Sequence, residues 1–522
     1  MTPQAPSSPS GRSFRPSWGQ ATWLLIALVT LVRIIALAVS QVELYPDESQ
    51  YWVWSRSFDW GYFSKPPMIA WAIGASTSIL GLSDFAIRLP ASLFHAATAS
   101  FLALGARQLV GHRAGFWTAA VYLTTPAIFL SSGIISTDAV LMSFWAAGLY
   151  ALICLRKGAG WPSAIGLGAA IGLGFLSKYA MIYFLVGTGL AILLDPPTRR
   201  AILSWKGVVA AGLALAILSP NLMWNAAHEF ATLQHTAANA NWGGDLFHFA
   251  EMAEFAIAQF GVFGPALFAT LIVAAFASLR GIFTFDGDPI RFLALFILPA
   301  LIVVTLQAFI SRAHANWAAS AYVAGTLVVS LVLLSGPAWR RYVLYGSIAF
   351  ASIIGVVFMA AAYQPALADG LGVGNAFKRV RGWQETADAI IAIEQNAAAE
   401  AVMFDDRNVF HQMQRYGTGI ETPIYMWQRY GGPHNHADQT WPLPDGYDES
   451  VLVVSERPLD VARMRDDFTT FEPVGSITID LGGNRTREFS LWRAQGYHRV
   501  ERNQAYEDYW AGVDAAARAA NE

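Results

Sequence analysis

Cysteine and charge are what this chain has least of. A single cysteine, Cys154, stands among 522 residues and lies in an apolar run. A disulfide framework and a cysteine-based metal site within one chain are both excluded. Only 14% of the residues are charged, against 55% hydrophobic, whereas a soluble domain carries about 25% charge. The net charge of −3 gives no electrostatic footprint for nucleic acid. No glycine-rich phosphate loop follows a predicted strand, so a nucleotide-sugar site of the soluble type has no support. The composition is that of a polytopic membrane protein with a water-soluble portion.

What the chain has in abundance is apolar runs near the length of a bilayer crossing. They fall at 21–40, 88–110, 114–131, 137–155, 160–177, 179–195, 207–222, 251–279, 290–310, 316–335 and 342–363. Residues 66–82 are apolar but broken by prolines, glycine and serines, and read as a helix lying at the surface. Ala36-Leu37-Ala38 resembles a signal-peptidase site, but the run before it is long and holds Arg33, so it reads as an uncleaved first helix. With the N-terminus inside, the inner loops collect Arg107, Arg113, Arg156, Lys157, Arg199, Arg200, Lys206, Arg340 and Arg341. The outer loop 223–250 has neither lysine nor arginine. This asymmetry predicts about eleven spans with the C-terminal tail outside.

From residue 364 the pattern changes. Helical stretches at 383–395, 409–416 and 505–519 alternate with strand-like stretches at 401–405, 451–455 and 488–492. A small soluble α/β domain is expected over 364–522. The remaining divisions are a cytoplasmic tail at 1–20 and a membrane domain at 21–363, whose outer loop 41–87 is the expected active-site loop.

That loop carries the densest chemistry, Tyr45-Pro-Asp47-Glu48 through Tyr51, Trp52 and Trp54, then Ser64-Lys65-Pro66-Pro67. A carboxylate can act as general base on an acceptor hydroxyl. Asp47 and Glu48 are neighbours and point different ways on any regular element, so different jobs are expected of them. A solvated acidic pair is the plainer alternative. Tyr51 and Trp52 are candidates to stack on a sugar, and they are also what membrane interfaces favour. Lys65 is held before two prolines, where an ammonium suits a phosphate, with snorkelling to a headgroup as the alternative. Asp138 opens a span as a site carboxylate or a helix cap. Lys178 is a turn residue or a second cation for the site. Arg312 is a phosphate candidate or a surface anchor, beside His314, Asn316 and Trp317. His228 and Glu229 could bind a divalent metal, but no spacing is diagnostic, and no metal or other cofactor is implied.

Taken in order, these motifs resemble the membrane glycosyltransferases of the C-type fold. The resemblance runs through Tyr-Pro-Asp47-Glu48, Ser-Lys65-Pro-Pro, Arg88-Leu-Pro90, Ser136-Thr-Asp138 and Gly174-Phe-Leu-Ser-Lys178-Tyr179. Ser219-Pro-Asn221 through Asn225 and His314-Ala-Asn316-Trp317 continue it, over residues 20–360. The group holds protein O-mannosyltransferases, the lipid A aminoarabinose transferase and rhizobial galacturonosyltransferases of lipopolysaccharide. The resemblance implies a sugar donor on a polyprenyl phosphate, with inversion at the anomeric carbon. It implies Asp47 as base or acceptor-orienting group with Glu48 beside it, and Lys65 against the leaving phosphate. Asp138, Lys178 and Arg312 are carried over as further site residues. Tyr51, Trp52, His228, His314 and Asn316 are the expected substrate contacts.

An arginine common three residues after the acidic pair in aminoarabinose transferases is Tyr51 here. The pattern leans towards the galacturonosyltransferase-like members and a uronic acid or hexose. The expectation is an inner-membrane enzyme decorating lipid A or lipopolysaccharide core at the periplasmic face, among membrane lipids. Its rivals are a protein O-glycosyltransferase with the same donor and a lipid-linked-sugar flippase or transporter. A transporter would need ionisable groups near the midplane; here they gather at span ends.

Overall fold

The computed structural model describes residues 16–230, 232, 234, 237, 247–279 and 289–521. Six helices among them are long and apolar enough to cross a membrane: Trp18–Ala38, Asp84–Leu109, Thr137–Arg156, Trp205–Ala227, Pro289–Ile310 and Ala338–Tyr363. Three bent pairs bring the number to nine. The shorter apolar helices Trp161–Ser177 and Ala321–Leu334 fall on the two remaining expected runs, and Met68–Leu80 on the expected surface helix.

Two runs read as straight spans are broken. His112–Thr124 and Pro126–Gly133 meet at 64°, and Phe249–Phe263 and Pro265–Ser278 at 112°. Proline accounts for both breaks. It pushes the residue before it out of the helical region, and Thr125 sits at φ −56°, ψ 133°. Gly264 takes a positive φ of 99°, open to glycine without strain, before Pro265. A third pair, Tyr179–Leu194 and Pro196–Ile202, bends by 114°.

Burial sorts the helices. The apolar window of Thr137–Arg156 is 78% buried, whereas those of Trp205–Ala227 and Ala338–Tyr363 are 17% buried. The first is central, packed through Trp145 and Leu152 against Phe184 and its neighbours. The other two expose Val208, Leu215, Ile353 and Val357. Apolar surface on that scale is what lipid covers.

The C-terminal part is a five-stranded mixed sheet ordered β2-β1-β3-β5-β4. The strands are β1 Ala401–Phe404, β2 Ile424–Met426, β3 Val451–Ser455, β4 Phe468–Gly482 and β5 Arg485–Tyr497. The first three run parallel, and β5 pairs antiparallel with both β3 and β4. Strands β2 and β4 were not expected from sequence. The first has three residues, and β4 carries Pro473 and Gly475, which argue against a strand. As an edge strand β4 tolerates the proline, and the pairing register shifts between these two residues.

The sheet domain is seated on the membrane domain. Tyr51, Trp52, Trp54, Ile69 and Ile87 join Trp383, Phe404, Phe410 and Met413 in one apolar cluster. Glu43 accepts from the backbone N–H groups of Trp383 and Gln384 at 2.6 and 2.7 Å, satisfying the start of helix Trp383–Ala397. Helix Arg407–Tyr416 lies against the acidic loop, and the Tyr416 hydroxyl both donates to Asp84 and accepts from the Leu44 N–H.

Candidate active site

The acidic motif folds as the helix Pro46–Ser55. Pro46 opens it, where a fixed φ is already helical and the missing N–H has no partner to lose. Asp47 and Glu48 fall in its first turn, where carboxylates complement the helix dipole. Successive side chains are turned about 100° apart there, and the two acids meet opposite surroundings.

Glu48 is 0% exposed. Arg88 donates to it from Nε at 3.0 Å and from Nη2 at 2.7 Å. The backbone N–H groups of Ile135 and Tyr45 add bonds of 2.9 and 2.8 Å. Arg88 is itself completed by the carbonyls of Val42 and Glu43. Both Glu48 oxygens are therefore committed to tying the acidic helix to the spans on either side of it. A buried charge survives only when paired and hydrogen-bonded in this way.

Asp47 is half-buried, and among the described residues no donor reaches its carboxylate. It acts through space on Lys65 and on the Tyr51 hydroxyl. Lys65 follows a tight turn in which the Tyr62 N–H donates to the Lys65 carbonyl at 3.1 Å. Thr232 donates to the Tyr62 carbonyl at 2.8 Å, and Asn221 to the Trp60 carbonyl at 2.6 Å. Asn221 is held in turn by the Tyr179 hydroxyl at 2.8 Å. Gly61 lies against the face of Trp224, where an added Cβ would meet the indole at 2.4 Å. The lysine is thus carried on a braced loop, while its ammonium is uncommitted. Burial, and then the neighbouring Lys178, lower its pKa from the ordinary lysine value.

Lys178 ends helix Trp161–Ser177 and pairs with Asp138 at 2.7 Å. The second Asp138 oxygen accepts from the Asn316 amide at 2.9 Å. Tyr51 is buried, and burial, then Asp47 and Asp138, hold its hydroxyl well above the usual phenol range. One further cation acts on Lys65 and Tyr51, the guanidinium of Arg407, which comes from the C-terminal domain.

The structure therefore gathers Asp47, Lys65, Asp138, Lys178, Tyr51 and Asn316. It does not bring the other expected residues to this cluster. Trp52 is 4% exposed, packed in the domain contact with Arg56 and Arg415 over its ring. His228 stacks on Trp224 at 4.1 Å and bonds the Trp224 carbonyl through Nδ1. His314 packs edge-on against Trp317, and Arg312 is exposed, with only its carbonyl in a hydrogen bond, to Gln307. Among the described residues no three His, Cys, Asp or Glu side chains are grouped to hold a metal ion. The part played by Arg88 and the approach of Arg407 were not foreseen. Arg88 has the span-opening position of an ordinary anchor, and Arg407 lies far along the chain with no motif of its own.

A helical membrane bundle with a cluster of acid and amine side chains at the foot of an α/β domain defines a class, the C-type-fold membrane glycosyltransferases, and the chain belongs to it. Residues 64–224 match the family model described as dolichyl-phosphate-mannose-protein mannosyltransferase. Within that class the chain belongs with the rhizobial lipopolysaccharide galacturonosyltransferases. It is 34% identical to the lipid A galacturonosyltransferase RgtD of Rhizobium johnstonii, over 83% of this chain and 90% of that one. It is 27% identical to the core galacturonosyltransferase RgtA of the same organism, over 38% of this chain and 41% of that one. The fold matches ArnT from Cupriavidus metallidurans, solved with undecaprenyl phosphate, at a TM-score of 0.61 and 15% identity. That match covers 90% of this chain and 97% of ArnT.

Proposed function

We propose that this membrane glycosyltransferase moves a uronosyl residue from a polyprenyl-phosphate donor to a hydroxyl of lipid A. The reaction takes place at the periplasmic face of the inner membrane, with the domain 364–522 on the same side. The observation that carries the reading is the pair of uncommitted groups, the Asp47 carboxylate and the Lys65 ammonium, in one half-buried cluster. Similarity to RgtD supports the sugar and acceptor classes, and the ArnT complex supports a lipid-phosphate carrier.

Asp47 orients the acceptor hydroxyl and takes its proton as the oxygen attacks the anomeric carbon. The bond from that carbon to the phosphate oxygen breaks on the opposite face, so the configuration inverts. Lys65 neutralises the departing phosphate. In a poorly solvated site a placed cation is worth more than in water, and the repulsion between Lys65 and Lys178 is relieved when an anion sits between them. Asp138 and Asn316 hold Lys178 in place for this. Glu48 and Arg88 take no part in the chemistry and fix the helix that presents Asp47.

The test is mass spectrometry of lipid A and core oligosaccharide from a deletion strain complemented with wild type or Asp47→Asn. A uronic acid mass on lipid A that only wild type restores is the expected result. Unchanged lipid A would sink the acceptor assignment and direct the search to glycoproteins. Full restoration by Asp47→Asn would sink the role given to Asp47.

A further inference from the structure

The two ammonium groups of the site stand on separate parts of the chain. Lys65 rides on the loop that follows the acidic helix, and Lys178 ends helix Trp161–Ser177. One side chain joins the backbones that carry them. Asn221 lies in helix Trp205–Ala227 and is fully buried. Its Oδ1 accepts from the Tyr179 hydroxyl at 2.8 Å, and its Nδ2 donates to the Trp60 carbonyl at 2.6 Å. The partners fix which end is which. A carbonyl can only accept, so the amide nitrogen must face Trp60. The Tyr179 hydroxyl already accepts from the Asn225 amide at 3.0 Å, which leaves its proton for the Asn221 oxygen. Lys178 and Tyr179 are neighbours with different partners, Asp138 for the lysine and Asn221 for the tyrosine. One turn along the same helix, Trp224 abuts Gly61 and holds the loop from a second point.

Two like charges drive their carriers apart. The end of a packed helix resists that force better than a loop does, so the loop bearing Lys65 is the part that would yield. The tie through Asn221 opposes this, because it bonds the loop at Trp60 to the residue next to Lys178. We infer that Asn221 is a positioning residue that sets the distance between Lys65 and Lys178, and with it the grip of the site on the carrier phosphate. The inference rests on the reading above, in which that phosphate sits between the two ammonium groups. Few side chains suit the place, which asks for a donor and an acceptor at once. Aspartate would set oxygen against oxygen at Trp60, and leucine would leave the Tyr179 hydroxyl and the Trp60 carbonyl each short of a partner. Asn221 touches neither lysine in this arrangement and acts on the phosphate only through the loop that it holds.

The test measures the binding of undecaprenyl phosphate, without sugar or acceptor, to the purified full chain. Wild type should bind it, and Lys65→Ala should bind it poorly. Asn221→Ala should weaken binding by about 10-fold, the scale of one lost buried hydrogen bond. Tyr179→Phe keeps the bond to Trp60 and should weaken binding by less. In a Lys65→Ala background Asn221→Ala should weaken it no further, since residues that act through one another do not add. Tyr416→Phe, which loosens the domain contact instead, should bind as wild type does. A further loss of the same size in the Lys65→Ala background would mean that the amide meets the ligand itself or serves only the fold, and would overturn the inference. So would an equal loss in Tyr416→Phe, which would make the effect one of general stability. Unchanged binding in Asn221→Ala would overturn it while leaving the phosphate reading intact. If Asn221→Ala does not fold, Tyr179→Phe takes its place in the same cycle. A wild type that does not bind, or a Lys65→Ala that binds fully, would overturn the phosphate reading as well.

Discussion

Asp47 and Glu48 are adjacent in sequence and belong to different regions of the molecule. Glu48 faces inward, where a guanidinium and two backbone N–H groups occupy both its oxygens. Asp47 faces a cluster in which nothing described donates to it. One region is closed by hydrogen bonds and does structural work. The other keeps a carboxylate and an ammonium in reserve. A charge without a partner in a half-buried site is costly to keep, and it persists where a ligand completes it. The closed pair beside it is the support that lets the open pair persist.

The contrast breaks most severely at Arg88. Its replacement by methionine leaves Glu48 buried without a counter-charge, which costs about 3–5 kcal/mol. Arg88→Met is expected to lose folded protein in thermal melts, and a melt unchanged from wild type would remove the structural role given to this pair. Tyr416→Phe is the milder break. It strips the acidic loop's Leu44 N–H and the Asp84 carboxylate of one partner each, a loss of about 1–3 kcal/mol. Limited proteolysis should then release the C-terminal domain sooner than in wild type. The smallest effect sharpens the open region. Donor binding needs Lys65 protonated, and burial with Lys178 nearby lowers its pKa. The group is charged below that pKa and loses its charge as pH rises through it. The alkaline limb of kcat/KM should therefore fall below the ordinary lysine range. Lys65→Arg should move it upward, since guanidinium does not titrate there; an unmoved limb would assign it to another group.

How much of this was legible in the sequence depends on how local the cause is. Each apolar run carries its own length and composition, so their places agree with the helices found. The bends at Thr125-Pro126 and Gly264-Pro265 were written in the sequence but passed over in favour of long straight spans. Strand β4 was hidden because Pro473 and Gly475 argue against a strand unless it lies at an edge, which only the assembled sheet decides. Asp47 and Lys65 could be picked out because a short loop holds both. Which of the two acids stays open could not be read, because Arg88 and Ile135 decide it from 40 and 87 residues away. Trp52 was expected at the substrate by its place among aromatics, and the docked C-terminal domain buries it instead.

The central claim is that the two neighbouring carboxylates have separate jobs, and one paired measurement tests it. Asp47→Asn and Glu48→Gln would be purified in parallel, with thermal stability and transfer rate recorded for each. Asp47→Asn should melt as wild type does while its transfer rate drops by about 10²–10⁴-fold, the usual contribution of a general base. Glu48→Gln should melt lower, and the transfer rate of its remaining folded fraction should stay close to that of wild type. A stable Glu48→Gln with no transfer, or an active Asp47→Asn, would contradict the account.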